Sequence, residues 1–136
     1  SSTVTVAVNA QPTIAPISDI SECVGGTASL TASVSGGSGT VTYQWHQVGA
    51  TPTAISLATS QAYTPSASVA GTEQYYVVVT DAASGCNDPT SNTVNVVVVA
   101  DPAIATQPTA ITECIGGTTA LTVAATGGTP SLTYQW

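Results

Sequence analysis

Residues 22–45 read ECVGGTASLTASVSGGSGTVTYQW, and residues 113–136 read ECIGGTTALTVAATGGTPSLTYQW. Cys23 aligns with Cys114 and Trp45 with Trp136, at an offset of 91 residues. Earlier segments repeat at an offset of 90, since Thr-Val-Thr-Val at 3–6 matches Thr-Val-Asn-Val at 93–96. This period is too long for a solenoid unit and suits one small β-domain. The sequence therefore predicts repeats arranged head to tail, with a period of about 90 residues.

The period divides the chain into three parts. We expect residues 1–10 to be the last strand of a preceding repeat, 11–100 a complete repeat, and 101–136 the first half of the following repeat. The third part has no residues that match 46–100. A segment so short, with half a sheet, cannot bury enough surface to fold alone. We therefore expect the natural protein to be longer, and the absence of a targeting segment says nothing about its destination.

The composition excludes several classes of partner. The chain has no Lys or Arg, and its seven acidic residues give a net charge of −7. Without cations it cannot neutralise phosphates, which argues against nucleic acids and anionic membrane surfaces as partners. A hydrophobic content of 43% argues against disorder. Trypsin has no cleavage site, and the uncharged, Thr-rich composition is typical of a surface exposed to proteases. We expect an extracellular, cell-surface location.

The hydrophobic pattern is all β. Apolar residues alternate with Thr, Ser or Gln at period two, most clearly at Val41, Tyr43 and Trp45. Strands are predicted at 4–8, 28–34, 41–45, 54–57, 61–64, 75–80 and 93–99. Turn signals separate them, at Gly25-Gly26, 36–39, Thr51-Pro52, Ala70-Gly71 and Ser84-Gly85. The run at 96–99 breaks the alternation, which predicts burial on both faces. Seven short strands in about 90 residues predict an immunoglobulin-like β-sandwich.

Four motifs carry a family resemblance: CVGGTASL at 23–30, YQW at 43–45, GTEQYYVVVTD at 71–81 and SGC at 84–86. Together they resemble the Ig-like repeats of giant cell-surface adhesins of Bacteroidetes-type bacteria. Gliding-motility adhesins exported by the type IX secretion system are among these. The resemblance covers the full repeat and both partial ones. It implies a module of a surface protein and says little about what any one protein binds.

The aromatic residues are predicted to be structural. Trp45 invites a carbohydrate-binding interpretation, with Tyr43 beside it. The third strand of an Ig sandwich normally carries a core tryptophan, however, and Trp45 stands at that place. The predicted core contains Trp45, Tyr43, Leu30 and Tyr75. Tyr75 or its neighbour Tyr76 is also a candidate corner tyrosine, whose hydroxyl ties down a loop.

No group of residues predicts catalysis, so we expect no enzyme and no cofactor. His46 follows the core tryptophan and should face solvent, with no acid or nucleophile at a readable spacing. The acids are scattered singly. Ca²⁺ at a repeat junction, held by Asp101 or Asp88 with backbone carbonyls, is the one metal alternative. The Gly-Gly pairs lack the lysine or the strand-helix context of a phosphate site.

The cysteines predict disulfides, since the full repeat contributes Cys23 and Cys86, and Cys114 begins another pair. Ig topology puts Cys23 and Cys86 at opposite ends of strands that run the same way, too far apart for a bond. A bond between Cys23 of one repeat and a Cys86-type cysteine of the next fits that geometry. The alternative is a Cys23–Cys86 bond within the repeat, worth roughly 4 kcal/mol through loop closure. Both pairings stay open at this point.

Two function classes remain. The first is a structural spacer of a cell-surface adhesin or extracellular filament, in contact with neighbouring repeats and other filaments. The second is a ligand-binding module, for instance for surface polysaccharide. The junctions at Pro12 and at Asp101-Pro102 leave almost no linker, and proline restricts the backbone on both sides. Successive repeats are therefore predicted to form a rod.

Overall fold

The computed structural model describes residues 2–82, 86–128 and 131–136. The predicted turn at Ser84-Gly85 lies outside these residues. The described chain is all β, and it holds no helix that is long and apolar enough to cross a membrane. Its strands are β1 (Thr13–Ile14), β2 (Ile20–Cys23), β3 (Leu30–Thr31), β4 (Val34–Ser35), β5 (Val41–Val48), β6 (Thr53–Ala54), β7 (Ala62–Tyr63), β8 (Gly71–Asp81), β9 (Val94–Val99), β10 (Ala103–Thr106) and β11 (Ala124–Thr126).

The larger layer is a five-stranded sheet in the order β2-β9-β8-β5-β6. Its centre is the antiparallel pair β5–β8, in which Trp45 is opposite Val77. The first edge strand, β2, runs parallel to β9, with Cys23 opposite Val99. The other pairs are antiparallel. Period-two alternation explains this layer, because a sheet that packs on one face places every second side chain in the core.

The second layer consists of two short antiparallel pairs, β1–β4 and β3–β7. Backbone hydrogen bonds extend them: Ala15 N–H donates to the Ser33 carbonyl at 2.9 Å, and Ala32 N–H donates to the Gln61 carbonyl at 3.1 Å. The predicted strand at 28–34 is therefore divided into β3 and β4. The two layers pack as an Ig-like sandwich, which confirms the predicted fold class.

The core lies between the layers. Trp45 is fully buried, and its indole Nε1–H donates to the Ser60 carbonyl at 3.0 Å. Leu30 and Tyr75 are buried beside it, whereas Val41 and Tyr43 are half-buried and pack against the core from its edge. The buried hydrophobic residues of the described chain all lie between Ile17 and Val98. Residues 11–100 therefore contain a complete core of their own.

The valine-rich run at 96–99 follows the alternation after all. Val96 and Val98 are buried, and Val97 and Val99 are half-buried, so the outer face of β9 is partly covered rather than buried. Its neighbour β2 shields one side of this strand. The expectation of burial on both faces was therefore too strong.

The strand predicted at 4–8 is not formed. Residues 2–10 belong to no strand, and Val4, Val6 and Val8 are exposed. A strand needs a partner for its backbone hydrogen bonds, and among the described residues no strand pairs with residues 4–8. The alternation is present in the sequence, but alternation alone does not create a sheet.

Residues 101–136 reproduce the start of the repeat. The pair β10–β11 places Ile104 opposite Ala125, as β1–β4 places Ile14 opposite Val34. Most other described residues of this segment are exposed, and Trp136, which matches Trp45, is 68% exposed. Among the described residues of 101–136 the strands are β10 and β11, so Trp136 lacks the neighbours that cover Trp45.

Candidate functional site

The two ends of the sandwich hold the residues that the sequence singled out as junctions and cysteines. The N-terminal pole comprises residues 11–12, 36–39, Asp81 and Cys86. The C-terminal pole comprises residues 23–26, 66–71 and 98–100. Along β8 the two poles are separated by the strand's whole length, 11 residues or roughly 36 Å.

Asp81 organises the N-terminal pole. It is buried, and its carboxylate accepts the backbone N–H groups of Ser38 at 3.0 Å and Gly39 at 2.9 Å. Gly37 has a positive φ of 76°, and a Cβ there would collide with the same carboxylate. The chain contains no Lys or Arg, so backbone dipoles stabilise this buried charge. Asp81 therefore ties the end of β8 to the turn before β5.

The incoming chain is held at the same pole. Gly37 N–H donates to the Ala10 carbonyl at 2.9 Å, and Asn87 N–H donates to the Gln11 side-chain oxygen at 2.7 Å. Pro12 is buried here. At the next junction, Gly128 N–H donates to the Ala100 carbonyl at 2.7 Å. The same glycine-to-alanine contact thus recurs at both junctions.

Glu22 organises the C-terminal pole. Its Oε2 accepts the Ala28 N–H at 2.9 Å, and Gly26 N–H donates to the Cys23 carbonyl at 2.9 Å to close the turn. Gly25, with a φ of 81°, donates its N–H to the Ala67 carbonyl at 2.9 Å. The sequence Glu-Cys-x-Gly-Gly is therefore a turn that packs against the loop before β8.

The later copy of this motif forms the same turn. Thr119 N–H donates to Glu113 Oε1 at 2.5 Å, and Gly117 N–H donates to the Cys114 carbonyl at 3.0 Å. In the sequence, Glu22 and Glu113 look like scattered single acids. Their position at the same place in each repeated motif was the signal for a structural role.

The three cysteines are free thiols. Cys23 lies at the C-terminal pole, opposite Val99, whereas Cys86 lies at the N-terminal pole, next to Asp81 and Ser38. A disulfide needs Cα atoms within about 7 Å, far less than the separation of the poles. The Cys23–Cys86 bond within one repeat, left open by the sequence, is therefore incompatible with this fold. Cys114 is exposed.

Burial raises the pKa of the Cys86 thiol, and the negative charge of Asp81 and a hydrogen bond with it raise this pKa further. The hydrogen bond between the Ser38 side chain and the sulfur lowers this pKa and so partly offsets the increase. Cys86 is thus a poor nucleophile near neutral pH, since the thiolate is the reactive form.

A cleft of about 320 Å³ opens between the two layers at the C-terminal pole. Gln47 and Glu73 line it, on the inward-facing positions that follow Trp45 and precede Tyr75. Gln47 Nε2 donates to Glu73 Oε2 at 2.5 Å. The rings of Tyr63 and Tyr75 lie 5.6 Å apart beside this pair, and burial raises both phenol pKa values. Gln47 and Glu73 are both exposed, so this polar pair lies at the open rim of the cleft, and the sequence did not predict it.

His46 was expected to face solvent but is half-buried. Its ring stacks on that of Tyr76 across the outer face of the sheet, with 4.8 Å between the ring centroids. Among the described residues, no three His, Cys, Asp or Glu side chains cluster as a metal site would require. Asp88 and Asp101 are exposed, and they lie at opposite ends of the domain. The geometry therefore offers structural contacts at both poles and one polar cleft.

Residues 10–99 match the model of a family described as "Ig-like domain CHU_C associated". The chain belongs to this family. The match covers more than half of the chain and spans the sandwich from the N-terminal pole to the end of β9. It supports the Bacteroidetes-type Ig-like domain that the motifs resemble. A search of curated proteins found no match.

Membership in the Ig-like family supports a structural or binding module, and domains of this family are generally not enzymes. The Glu-Cys-x-Gly-Gly turn, the Tyr-Gln-Trp strand and β8 all fall inside the matched region. Those elements form the core and the poles, so the repeated motifs of this Ig-like domain are accounted for by folding.

Proposed function

We propose that this chain is a structural spacer of a long bacterial cell-surface adhesin or extracellular filament, in which Ig-like domains follow one another head to tail. The module is non-catalytic and extracellular, and its partners are the neighbouring repeats of the same chain. Export through the type IX system and contact with other filaments belong to the same proposal. Short proline-containing joints and disulfides between domains stiffen the array.

The repeated junction carries this proposal. The chain enters the domain at the N-terminal pole and leaves it at Val99, at the opposite pole. Domains connected in this way extend along one line instead of folding back. The contact of Gly37 with Ala10 recurs between Gly128 and Ala100, and Pro12 and Pro102 follow these alanines by two residues. A hydrogen-bonded, proline-restricted joint favours one orientation of successive domains.

Small-angle X-ray scattering of a tandem protein, with two or more copies of residues 11–100, tests the proposal. Each copy should add about 35–45 Å to the maximum dimension, as expected for a sandwich with strands of this length. The matched control inserts a flexible Gly-Ser linker of eight residues after Ala100, which should broaden the distance distribution. A tandem that already matches the flexible control would overturn the stiff spacer.

The cleft favours a second candidate, a module that binds neutral saccharide. Aromatic rings beside a carboxylate and an amide are the groups that contact sugar rings and hydroxyls, and the absence of cations disfavours acidic ligands. Retention on immobilised neutral polysaccharides tests this candidate. The Glu73→Gln variant should lose retention, while the exposed-site control Asp88→Asn keeps it. If the unsubstituted chain is not retained by any of these polysaccharides, the neutral-saccharide candidate is wrong.

A further inference from the structure

We propose a disulfide between successive domains, joining Cys23 of one repeat to the cysteine that corresponds to Cys86 in the next repeat. The proposal rests on the head-to-tail arrangement proposed above and names the covalent contact of that junction. It assigns Cys86 of this chain to the preceding domain and Cys114 to a later one.

Cys23 lies beside the point where the chain leaves the domain. Cys23 is the last residue of β2 and lies opposite Val99, the last residue of β9. Val24 N–H donates to the Val99 carbonyl at 3.0 Å, which fixes the backbone beside the cysteine. Neighbouring strands lie about 4.8 Å apart, so Cys23 flanks the point where the chain leaves the domain.

Cys86 lies beside the point where the chain enters the domain. Asn87, the next residue, donates its N–H to the side chain of Gln11, which begins the domain. Gln11 follows Ala10 as Asp101 follows Ala100. A Cys86-type cysteine of the following domain would therefore flank Asp101, two residues after Val99. Two residues span at most about 7 Å, so both cysteines border the same short joint.

Competing pairs are less suited to this geometry. Within a domain, Cys23 and Cys86 are separated by the length of β8. Cys23 and Cys114 occupy the same place in successive repeats, so one full repeat separates them. Only unlike poles meet at a head-to-tail junction, and unlike poles carry Cys23 on one side and a Cys86-type residue on the other.

The reaction is an oxidation by thiol–disulfide exchange. The Cys86-type thiolate or the Cys23 thiolate attacks a small disulfide oxidant such as oxidised glutathione, and the second protein thiolate then displaces the attached glutathione. One protein S–S bond forms and one glutathione S–S bond breaks. The two thiol protons end on two released glutathione molecules, which have taken up the two electrons.

A tandem of two copies of residues 11–100 tests the proposal, because each copy contains a complete core and the joint keeps Ala100 followed by Gln11-Pro12. After oxidation with oxidised glutathione at low protein concentration, the intact mass should show one internal disulfide, with the two outer cysteines either free or carrying one glutathione each. Because the two copies have the same sequence, the pairing is assigned on a variant that keeps only Cys23 of the first copy and Cys86 of the second. Digestion of this variant with glutamyl endopeptidase and chymotrypsin should give one peptide pair linked through these two cysteines. A bond within one copy, a bond between the outer cysteines, or four remaining free thiols would overturn it.

Matched variants separate bonding from folding. Cys86→Ser in the first copy with Cys23→Ser in the second removes only the outer cysteines, and the link should still form. The reverse pair of substitutions should abolish it, with tryptophan emission showing that both cores are intact. Small-angle scattering of the reduced tandem distinguishes the disulfide from the spacer function. A tandem that is an extended rod but never forms the disulfide contradicts the disulfide alone. A flexible tandem that nevertheless forms the link contradicts the stiff spacer alone.

Discussion

Gly39 donates its backbone N–H to Asp81 Oδ1 at 2.9 Å, joining the turn before β5 to the last residue of β8. The other carboxylate oxygen accepts the Ser38 N–H. The sequence contains no Lys or Arg, so backbone amides are among the groups that stabilise this buried carboxylate. The two hydrogen bonds therefore couple the shape of the turn to the Asp81 side chain.

We expect Asp81→Ala to lower the free energy of unfolding by about 2–4 kcal/mol, since a hydrogen bond to a charged group contributes about 1.5–3 kcal/mol. Asp81→Asn should cost less, because the amide oxygen keeps one acceptor. Urea denaturation followed by tryptophan emission measures both. Asp88→Ala, at an exposed site, is the control and should change stability by about 0.5 kcal/mol or less. Equal effects of Asp81→Ala and Asp88→Ala would contradict this role.

Two glycines with positive φ allow a paired comparison. At Gly25 an added Cβ meets open space, so Gly25→Ala should cost only the backbone strain, about 1–2 kcal/mol. At Gly37 the added Cβ would also collide with the Asp81 carboxylate, so Gly37→Ala should cost clearly more. Thermal unfolding of the two variants gives the ranking. An equal or reversed order would show that the Gly37 turn yields without disturbing Asp81.

The two Tyr-Gln-Trp motifs provide a second comparison. Trp45→Ala removes a fully buried ring and should destabilise the domain by about 3–5 kcal/mol. Trp136→Ala removes a mostly exposed ring from the same motif and should have little effect on the unfolding of residues 11–100. Circular dichroism during denaturation measures both without relying on tryptophan. Tolerance of Trp45→Ala would contradict the assigned core.

Asp19 should make the fold sensitive to acid. Hydrogen bonds from the Asn95 side chain and backbone lower the pKa of its carboxyl. A carboxyl with a lower pKa in the folded state stabilises the fold above its unfolded value, about 3.9, and this stabilisation is lost as pH falls through the folded value. Asp19→Asn should flatten the decline in stability below about pH 4. Urea titrations at pH 6 and pH 3 compare the variant with the parent, and an unchanged decline would contradict the assignment.

The Cys86 thiol should react slowly near neutral pH. Its raised pKa reflects burial first and then the neighbouring Asp81 carboxylate. The pH midpoint of iodoacetamide alkylation should therefore lie above the ordinary cysteine value of about 8.5 in the folded, reduced chain. In urea the same thiol should return to about 8.5, which serves as the control. A folded midpoint at or below the unfolded one would be inconsistent with this environment.

The sequence predicted the sandwich because its main signals are local. Alternation at Val41, Tyr43 and Trp45 and the long run of β8 are periodic patterns, and a period of two directly reports which face is buried. The Gly25-Gly26 and 36–39 turns were also readable, since glycine marks a positive φ. In the structure, the alternating residues of β5 and β8 contribute to the core, and the two glycine turns lie at the two poles.

Local patterns did not predict the contacts between segments that are distant in the sequence. Asp81 and Ser38 are separated by 43 residues, and Gln47 and Glu73 by 26. Single acids show no periodicity, so their partners appear only when strand register is known. The valines at 4–8 are exposed, whereas the matching valines of β9 are paired with β8, because a strand pattern does not reveal its pairing partner.

The parallel pairing of β2 with β9 has a mechanical consequence. Tension along an array pulls the chain at Gln11 and at Ala100 in opposite directions. Because β2 and β9 run the same way, that force slides the two strands along each other and loads the Ile20-to-Cys23 hydrogen bonds together, in shear. An antiparallel terminal pair would instead open one bond at a time. Because β1 lies between Gln11 and β2, the load reaches β2 once the short β1–β4 pair has separated, and the parallel pair then resists it.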